Sequence, residues 1–301
     1  MKFSVVVGIV DGGDQLERCL AALASQAAAP PIEVIVPWDD SIAGIEAFII
    51  RYPGFRFLAM GHVATLHPAT SNVGLHELYD KRRAAGLRET TGDLVALLED
   101  RSVPTVEWAH NAVALHARLP NGVIGGAIAD GRDTLVGHAD YLCDFARYQP
   151  PFAGGPREYV SNVNICYKRA ALDRTRELWA DTYYDLTVHW ALQKEGEQLW
   201  LAPEMEVRQM RGDGTPLGRV LAERVAWGRR FAVRRVAAAG RGSRLRFALQ
   251  SPLVPLVLWW RVARDRRGSD PAVFAAAAPV ILLIYGAWGL GELIGYVTGK
   301  Q

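Results

Sequence analysis

Thr91-Gly92-Asp93-Leu94-Val95-Ala96-Leu97-Leu98-Glu99-Asp100 is the stretch that decides how this chain is read. Leu94–Leu98 is an unbroken apolar run, the composition of a strand covered on both faces. It starts at a glycine turn and stops on two adjacent acids. An ionised carboxylate left unpaired in a protein interior costs on the order of several kcal/mol, so packing alone seldom ends a buried strand this way. Acids at a strand terminus are suited to a divalent cation shared with a diphosphate. A helix N-cap formed by Asp100 is the other reading open at this point.

Outward from that strand the pattern repeats. Phe3–Val10 is a β-branched run, and Asp14–Ala24 follows with Leu16, Cys19, Leu20 and Leu23 at helical spacing. Ile32–Val36 reads as a second buried strand, stopping at Pro37-Trp38-Asp39-Asp40. A helix over Ile42–Tyr52, a short strand near Phe55–Met60 and a helix over Ala84–Thr90 complete the first hundred residues. Beyond Pro104 come a helix over Val106–Leu119 and a strand over Val123–Ile128, then a less regular stretch from about 130 to 200. Strands alternating with helices predict a parallel sheet covered on both faces. Ligands of such sheets bind beyond the carboxyl ends of the strands, where Asp11, Asp39, Asp40, Glu99 and Asp100 converge.

Several segments, in order, resemble family 2 glycosyltransferases of the GT-A fold. They are Glu33-Val34-Ile35-Val36 with Asp39-Asp40-Ser41, the basic stretch Lys81-Arg82-Arg83, the Thr91–Asp100 segment, Ser161-Asn162-Val163-Asn164, and Tyr184-Asp185 before a helix over Leu186–Lys194. The similarity covers roughly residues 3–235, and motifs in sequence are far more specific than any one alone. It implies an α/β, Rossmann-like GT-A fold and an inverting transfer from a nucleotide-sugar donor to an acceptor hydroxyl. Val10, Asp11, Asp39, Asp40, Arg82, Arg83 and Glu99 would bind the donor nucleotide, and Asn162 and Asn164 would face the acceptor. Asp185 would be the general base. The resemblance also implies a divalent metal, Mg²⁺ or Mn²⁺, held by Asp100 and Gln209.

Two departures bear on that metal. Arg101 stands where many relatives carry a third acid, and Gln209 where a histidine often completes the site. Hard cations prefer several anionic oxygens, so the metal is expected to bind only together with the nucleotide, and Asp100→Ala to abolish turnover. Arg101, Arg208 and Arg211 are alternative sources of positive charge. A GT-A domain that binds a nucleotide or partner without turnover is the second reading. A sugar nucleotidyltransferase ranks last, because the glycine-rich basic N-terminal loop it needs is missing.

The net charge of +2 hides an asymmetry. Residues 205–267 hold fifteen arginines and no lysine against four acids, an excess of eleven positive charges. Such a block suits an anionic surface, and the aromatic residues among the arginines raise RNA as a candidate. The twenty uncharged residues from Ala272 to Gly291 favour lipid instead, because that length crosses a bilayer core of roughly 30 Å. Arg261, Arg264, Arg266 and Arg267 before the run, and only Lys300 after it, place the bulk of the chain in the cytoplasm by the positive-inside rule. Pro252–Trp260 is too short to span and reads as an interfacial segment.

The expected organisation is a catalytic domain over 1–235, a basic interfacial segment over 236–270 and a transmembrane helix over 271–298. The expected location is the inner membrane, with membrane lipids and a lipid-linked or cell-envelope glycan as partners and no nucleic acid. Three widely spaced cysteines match no zinc or disulfide spacing.

Overall fold

The computed structural model describes residues 1–26, 31–210, 215–265 and 270–300. In chain order the elements are β1 (Phe3–Gly8), α1 (Gly13–Ala24), β2 (Ile32–Trp38), α2 (Ile45–Arg51), β3 (Arg56–Ala59), α3 (Asn72–Arg88), β4 (Leu94–Glu99), β5 (Ser102–Pro104), α4 (Trp108–Arg118) and β6 (Val123–Asp130). Then follow α5 (Leu135–Phe145), β7 (Gly155–Pro156), β8 (Asn164–Lys168), α6 (Arg169–Arg174), α7 (Arg176–Trp179), α8 (Asp185–Lys194), β9 (Trp200–Gln209), α9 (Leu217–Ala239), α10 (Arg244–Gln250), α11 (Val254–Asp265) and α12 (Pro271–Thr298). They fall into two compact units. The first comprises Met1–His67, Gly74–Ala129 and Phe152–Met210.

The sheet of the first unit runs in the order β3-β2-β1-β4-β8-β6-β9-β5, with β7 beside β9. Its first four strands are parallel, as the alternating pattern predicts. The remainder corrects the all-parallel expectation: β8 runs antiparallel to both β4 and β6, and β9 antiparallel to β5. Residues 164–168 are too short to declare a strand, and β9 interleaves Glu204, Glu206 and Arg208 with buried Met205, Val207 and Gln209 because one of its faces is wet. The antiparallel turnabout matters for the site. Leu98 pairs with Asn164 and Ser102 with Gln209, so the start of β8 and the end of β9 reach the edge where β4 delivers its acids.

Helix α3 is longer than its sequence suggests, beginning at Asn72 instead of Ala84. Its buried residues include Glu77, Asp80, Arg82 and Arg83, so charged pairs replace the apolar stripe that periodicity looks for.

The Thr91-Gly92-Asp93 turn is a three-strand lock. The Ser4 hydroxyl donates to Glu33 at 2.5 Å and accepts from the Gly92 N–H at 2.8 Å, Thr91 N–H reaches Glu33 at 3.0 Å, and the Lys2 N–H reaches Asp93 at 2.8 Å. A Cβ on Gly92 would lie 2.6 Å from the Leu94 carbonyl and 2.7 Å from the Ser4 nitrogen, both backbone atoms with no room to yield. Gly92→Ala is therefore expected to destabilise the first unit by about 1–3 kcal/mol, the usual cost of overpacking, read as a lower denaturation midpoint at unchanged m-value.

The second unit contains α5, the helices from α9 onward and Pro68–Val73. Here α12 lies along α9, and small residues set the distance: a Cβ on Gly291 would run into the Val225 carbonyl and one on Gly228 into the Trp288 carbonyl. Phe231 packs at a tilt against Trp288 and Phe247 against Tyr296, both with ring centroids 5.7 Å apart. Arg224 is paired with Asp140 and Asp144 of α5. Helix α12 is capped by Asp270, which accepts from the Ala272 N–H at 2.7 Å, and it ends at a left-handed Gly299. Among the described residues it is the helix long and apolar enough to cross a membrane by length and composition. Arg211, Arg266 and Arg267 lie outside the described residues.

Candidate active site

Strands β1, β2 and β4 end side by side, so their terminal acids share one edge. Asp39 is fully buried and held by Arg82, whose Nε donates to its carboxylate at 2.5 Å while the Ser41 N–H donates at 3.0 Å. Arg82 also reaches the Ile9 carbonyl at 2.8 Å and the Ser41 hydroxyl at 2.7 Å. Its whole fork is spent tying the ends of β1 and β2 together. Burial alone would raise the Asp39 carboxyl, but the bonds from Arg82 and Ser41 outweigh it and hold it below its ordinary value. The group thus contributes stability above the ordinary carboxylate range, and loses it as pH falls through the lowered pKa. Arg82→Met, which strands a buried carboxylate, should cost about 3–5 kcal/mol at neutral pH and less in acid, measured by urea unfolding at several pH values.

Asp100 has a comparable duty. Its carboxylate accepts the backbone N–H groups of Val10 at 3.0 Å, Asp11 at 2.9 Å and Gly12 at 2.6 Å, shaping the turn between β1 and α1. Desolvation pushes its carboxyl up to about 7, against the pull of Arg101 and the Gly12 N–H. Glu99 is buried beside it, accepting from the Gln209 side-chain amide and meeting the Tyr79 hydroxyl at 3.4 Å. Arg101 donates two bonds to Asp11, at 2.6 and 2.7 Å, with most of its side chain covered. Asp40 is exposed and meets His62 at 2.8 Å.

From Tyr79 the cluster extends to the start of α8. The Arg83 guanidinium lies 4.1 Å from the Tyr79 ring centroid and 4.7 Å from that of Tyr183, with its charge paired to Asp80 at 2.5 Å. Asp185 is the first residue of α8, half-buried, and its carboxyl is raised by burial against the opposing pull of Arg83 and of the Leu186 N–H. The structure thus gathers Asp11, Asp39, Glu99, Asp100, Arg101, Arg83, Asp185 and Gln209 in one unit. Tyr79 and Tyr183 have no counterpart in the sequence-based list. The signal for Tyr79 is its place one helical turn before Arg83, where an aromatic face meets a cation.

The solved structures similar to this chain include two complexes with nucleotide sugars. One is the mannosyltransferase PcManGT from Pyrobaculum calidifontis in complex with GDP-Man and Mn²⁺, at 16% identity and a TM-score of 0.58 over 97% of this chain and 87% of that one. The other is S. aureus TarS 1-349 in complex with UDP-GlcNAc, at 14% identity and a TM-score of 0.50 over 100% of this chain and 93% of that one. At such identities the likeness is one of fold. No family model matches the sequence, and neither does any curated protein.

Several of the sequence-predicted site residues are engaged within the protein. Arg82 and Arg83, expected at a diphosphate, are enclosed and paired within the protein. Asn164, expected to face an acceptor, is fully buried: its amide donates to the carbonyls of Ala127 and Met205 and accepts from the Trp108 indole, tying β6, β8 and β9 to α4. Asn162 stays half-buried in the turn before β8.

The metal assignment to Asp100 and Gln209 also meets a poor donor set. Both Asp100 oxygens already accept backbone N–H groups, and the described residues hold no group of three His, Cys, Asp or Glu side chains fit to bind a metal. The Gln209 Oε1 is buried without a partner, a neutral oxygen beside one carboxylate, Glu99. A hard cation takes about six oxygens, several of them anionic, so these residues do not fit a resident divalent ion. The Arg101 guanidinium puts a fixed positive charge in the same cluster.

Proposed function

We propose that the chain is an inverting glycosyltransferase of the family 2 kind, membrane-attached, moving a sugar from a nucleoside-diphosphate donor to the hydroxyl of a lipid-linked or cell-envelope acceptor on the cytoplasmic face of the inner membrane. The observation that carries this reading is the clustering of Asp185 with Arg83, Glu99 and Arg101 beyond the carboxyl ends of a Rossmann-like sheet. Sugar donors bound in two neighbours of the same fold support it.

In this reading the Asp185 carboxylate takes the acceptor proton while the acceptor oxygen bonds to the anomeric carbon. The bond from that carbon to the β-phosphate oxygen breaks on the opposite face, and its electron pair leaves with the nucleoside diphosphate. Arg101 meets the charge that develops there. Asp40 and the backbone of Val10 and Asp11 line the nucleotide side. Asp39, Arg82 and Asp100 hold the turns in place, and no step passes through a metal ion.

The test is a panel of UDP- and GDP-sugars with detergent-solubilised protein, measuring released nucleoside diphosphate and the anomeric configuration of the product by NMR. Release with inversion is expected. Calorimetric nucleotide binding with no release from any donor would instead establish a binding module without turnover.

A further inference from the structure

Helices α10 and α11 follow one another with only the turn Ser251–Leu253 between them. Leu245, Leu249, Leu253, Leu256, Val257 and Trp260 are all exposed, Leu249 by 72% and Trp260 by 57%. Their spacing of three or four residues puts them in one stripe along the segment. The inward side is different: Phe247 joins Ala232 and Tyr296 in a buried cluster, and Val262 is buried. Both sides are therefore apolar, and among the described residues only one has protein against it. Exposed apolar surface of this extent marks an interaction site.

The charges beside the stripe identify what covers it. Arg246, Arg261 and Arg264 are exposed on the same two helices, with Arg264 lying over the Trp260 ring at 5.1 Å. The acid on these helices, Asp265, is already bound to Arg264. Apolar side chains flanked by arginines and an indole match the boundary between acyl chains and anionic headgroups.

The packing of α12 bears on how deep the chain can go. Its later half lies on α9, with Gly295 against the Arg229 backbone and the Tyr296 hydroxyl 3.2 Å from Arg235. Glu292 of α12 is buried, bonded to the Trp288 indole at 2.5 Å and the Tyr296 hydroxyl at 2.9 Å. Carrying α12 through a hydrocarbon core would carry Arg229, Arg230, Arg234 and Arg235 of α9 to the same depth, a costly place for charge. The helix has an apolar outer side, including Leu282, Leu283 and Leu290, but its inner side belongs to protein.

We propose that the exposed stripe of α10 and α11 is a monotopic docking surface for an anionic phospholipid leaflet, seated at the headgroup boundary, and that α12 lies within the protein without crossing the bilayer. This deepens the membrane-attached reading above and rests on it.

The full chain is added to sealed, preformed vesicles of phosphatidylethanolamine with phosphatidylglycerol, and in parallel to phosphatidylcholine vesicles. Binding is read by co-sedimentation and depth by protease access to a C-terminal tag. Strong binding to the anionic vesicles is expected, with release by alkaline carbonate and complete cleavage of the tag. Arg246→Gln with Arg261→Gln should weaken partitioning by roughly 30-fold at low salt, following the usual contribution of each juxtamembrane cation. Leu249→Asp with Leu256→Asp should weaken it at least as much in high salt too, where the arginine effect shrinks. Unchanged nucleotide binding by the variants confirms that they are folded. Carbonate resistance with a protected tag would overturn this inference by showing a spanning helix, and would leave membrane attachment intact. Absence of binding to either vesicle would overturn both.

Discussion

Asp185→Asn is expected to leave nucleotide affinity unchanged and to slow sugar transfer by ~10²–10⁴-fold, the usual contribution of a positioned general base. Asparagine keeps the shape of the side chain and removes its ability to take a proton. The carboxyl sits on the first residue of α8, where the helix N-terminus and the Leu186 N–H favour its charged form. Burial acts the other way and prevails, so the group titrates above the ordinary aspartate value, with Arg83 limiting the rise. A base works only when ionised, so kcat/KM should climb as pH rises through that raised value and then level off. The Asn variant should lack this acid limb. The stability consequence has the opposite sign. A carboxyl raised by folding binds its proton more tightly in the native state, so it favours the fold in acid and costs stability as pH climbs past its raised pKa. Asp185→Asn should therefore be at least as stable as the parent at neutral pH, which separates lost chemistry from lost structure. Turnover equal to that of the parent would remove Asp185 from the mechanism.

The first hundred residues were legible because they obey simple periods. β1, β2 and β4 are buried on both faces and read as unbroken apolar runs, and α1 shows its stripe at Leu16, Cys19, Leu20 and Leu23. Reading failed where burial is polar. Helix α3 hides Glu77, Asp80, Arg82 and Arg83 inside, a pattern that one-dimensional periodicity takes for a wet surface. The same limit governs the site. Residue types at strand ends located the acids, but not which of them are already occupied. Asp39 and Asp100 are held by Arg82 and by backbone N–H groups that only the fold brings near. Asn164 illustrates the point most sharply. The resemblance puts it in the acceptor-side segment, and in space its pleat faces inward and its amide joins three strands.

On the proposed function, the parent protein is expected to keep its full transfer activity in EDTA, and Arg101→Ala to lose ~10²–10³ in kcat, the scale seen when a preorganised donor to a developing charge is removed. The departing nucleoside diphosphate gains negative charge as the sugar bond breaks, and something cationic must already be in place to meet it. Around Glu99 the carboxylates that would hold a metal are few or occupied, while the Arg101 guanidinium is fixed by its two bonds to Asp11. That pairing orients the fork without removing its charge: burial works against the cation, but the bonds and charge of Asp11, with Glu99 and Asp100 nearby, outweigh it and keep the guanidinium protonated well above its ordinary pKa. Arg101→Lys should retain part of the rate, because it keeps a point charge but loses the planar fork. Asp11 is partly open to solvent, so losing its partner should cost little stability, and the deficit should appear in kcat more than in the denaturation midpoint. Loss of all parent activity in EDTA, recovered by Mg²⁺ or Mn²⁺, would show that the donor brings a cation with it and would leave Arg101 as a residue that positions Asp11.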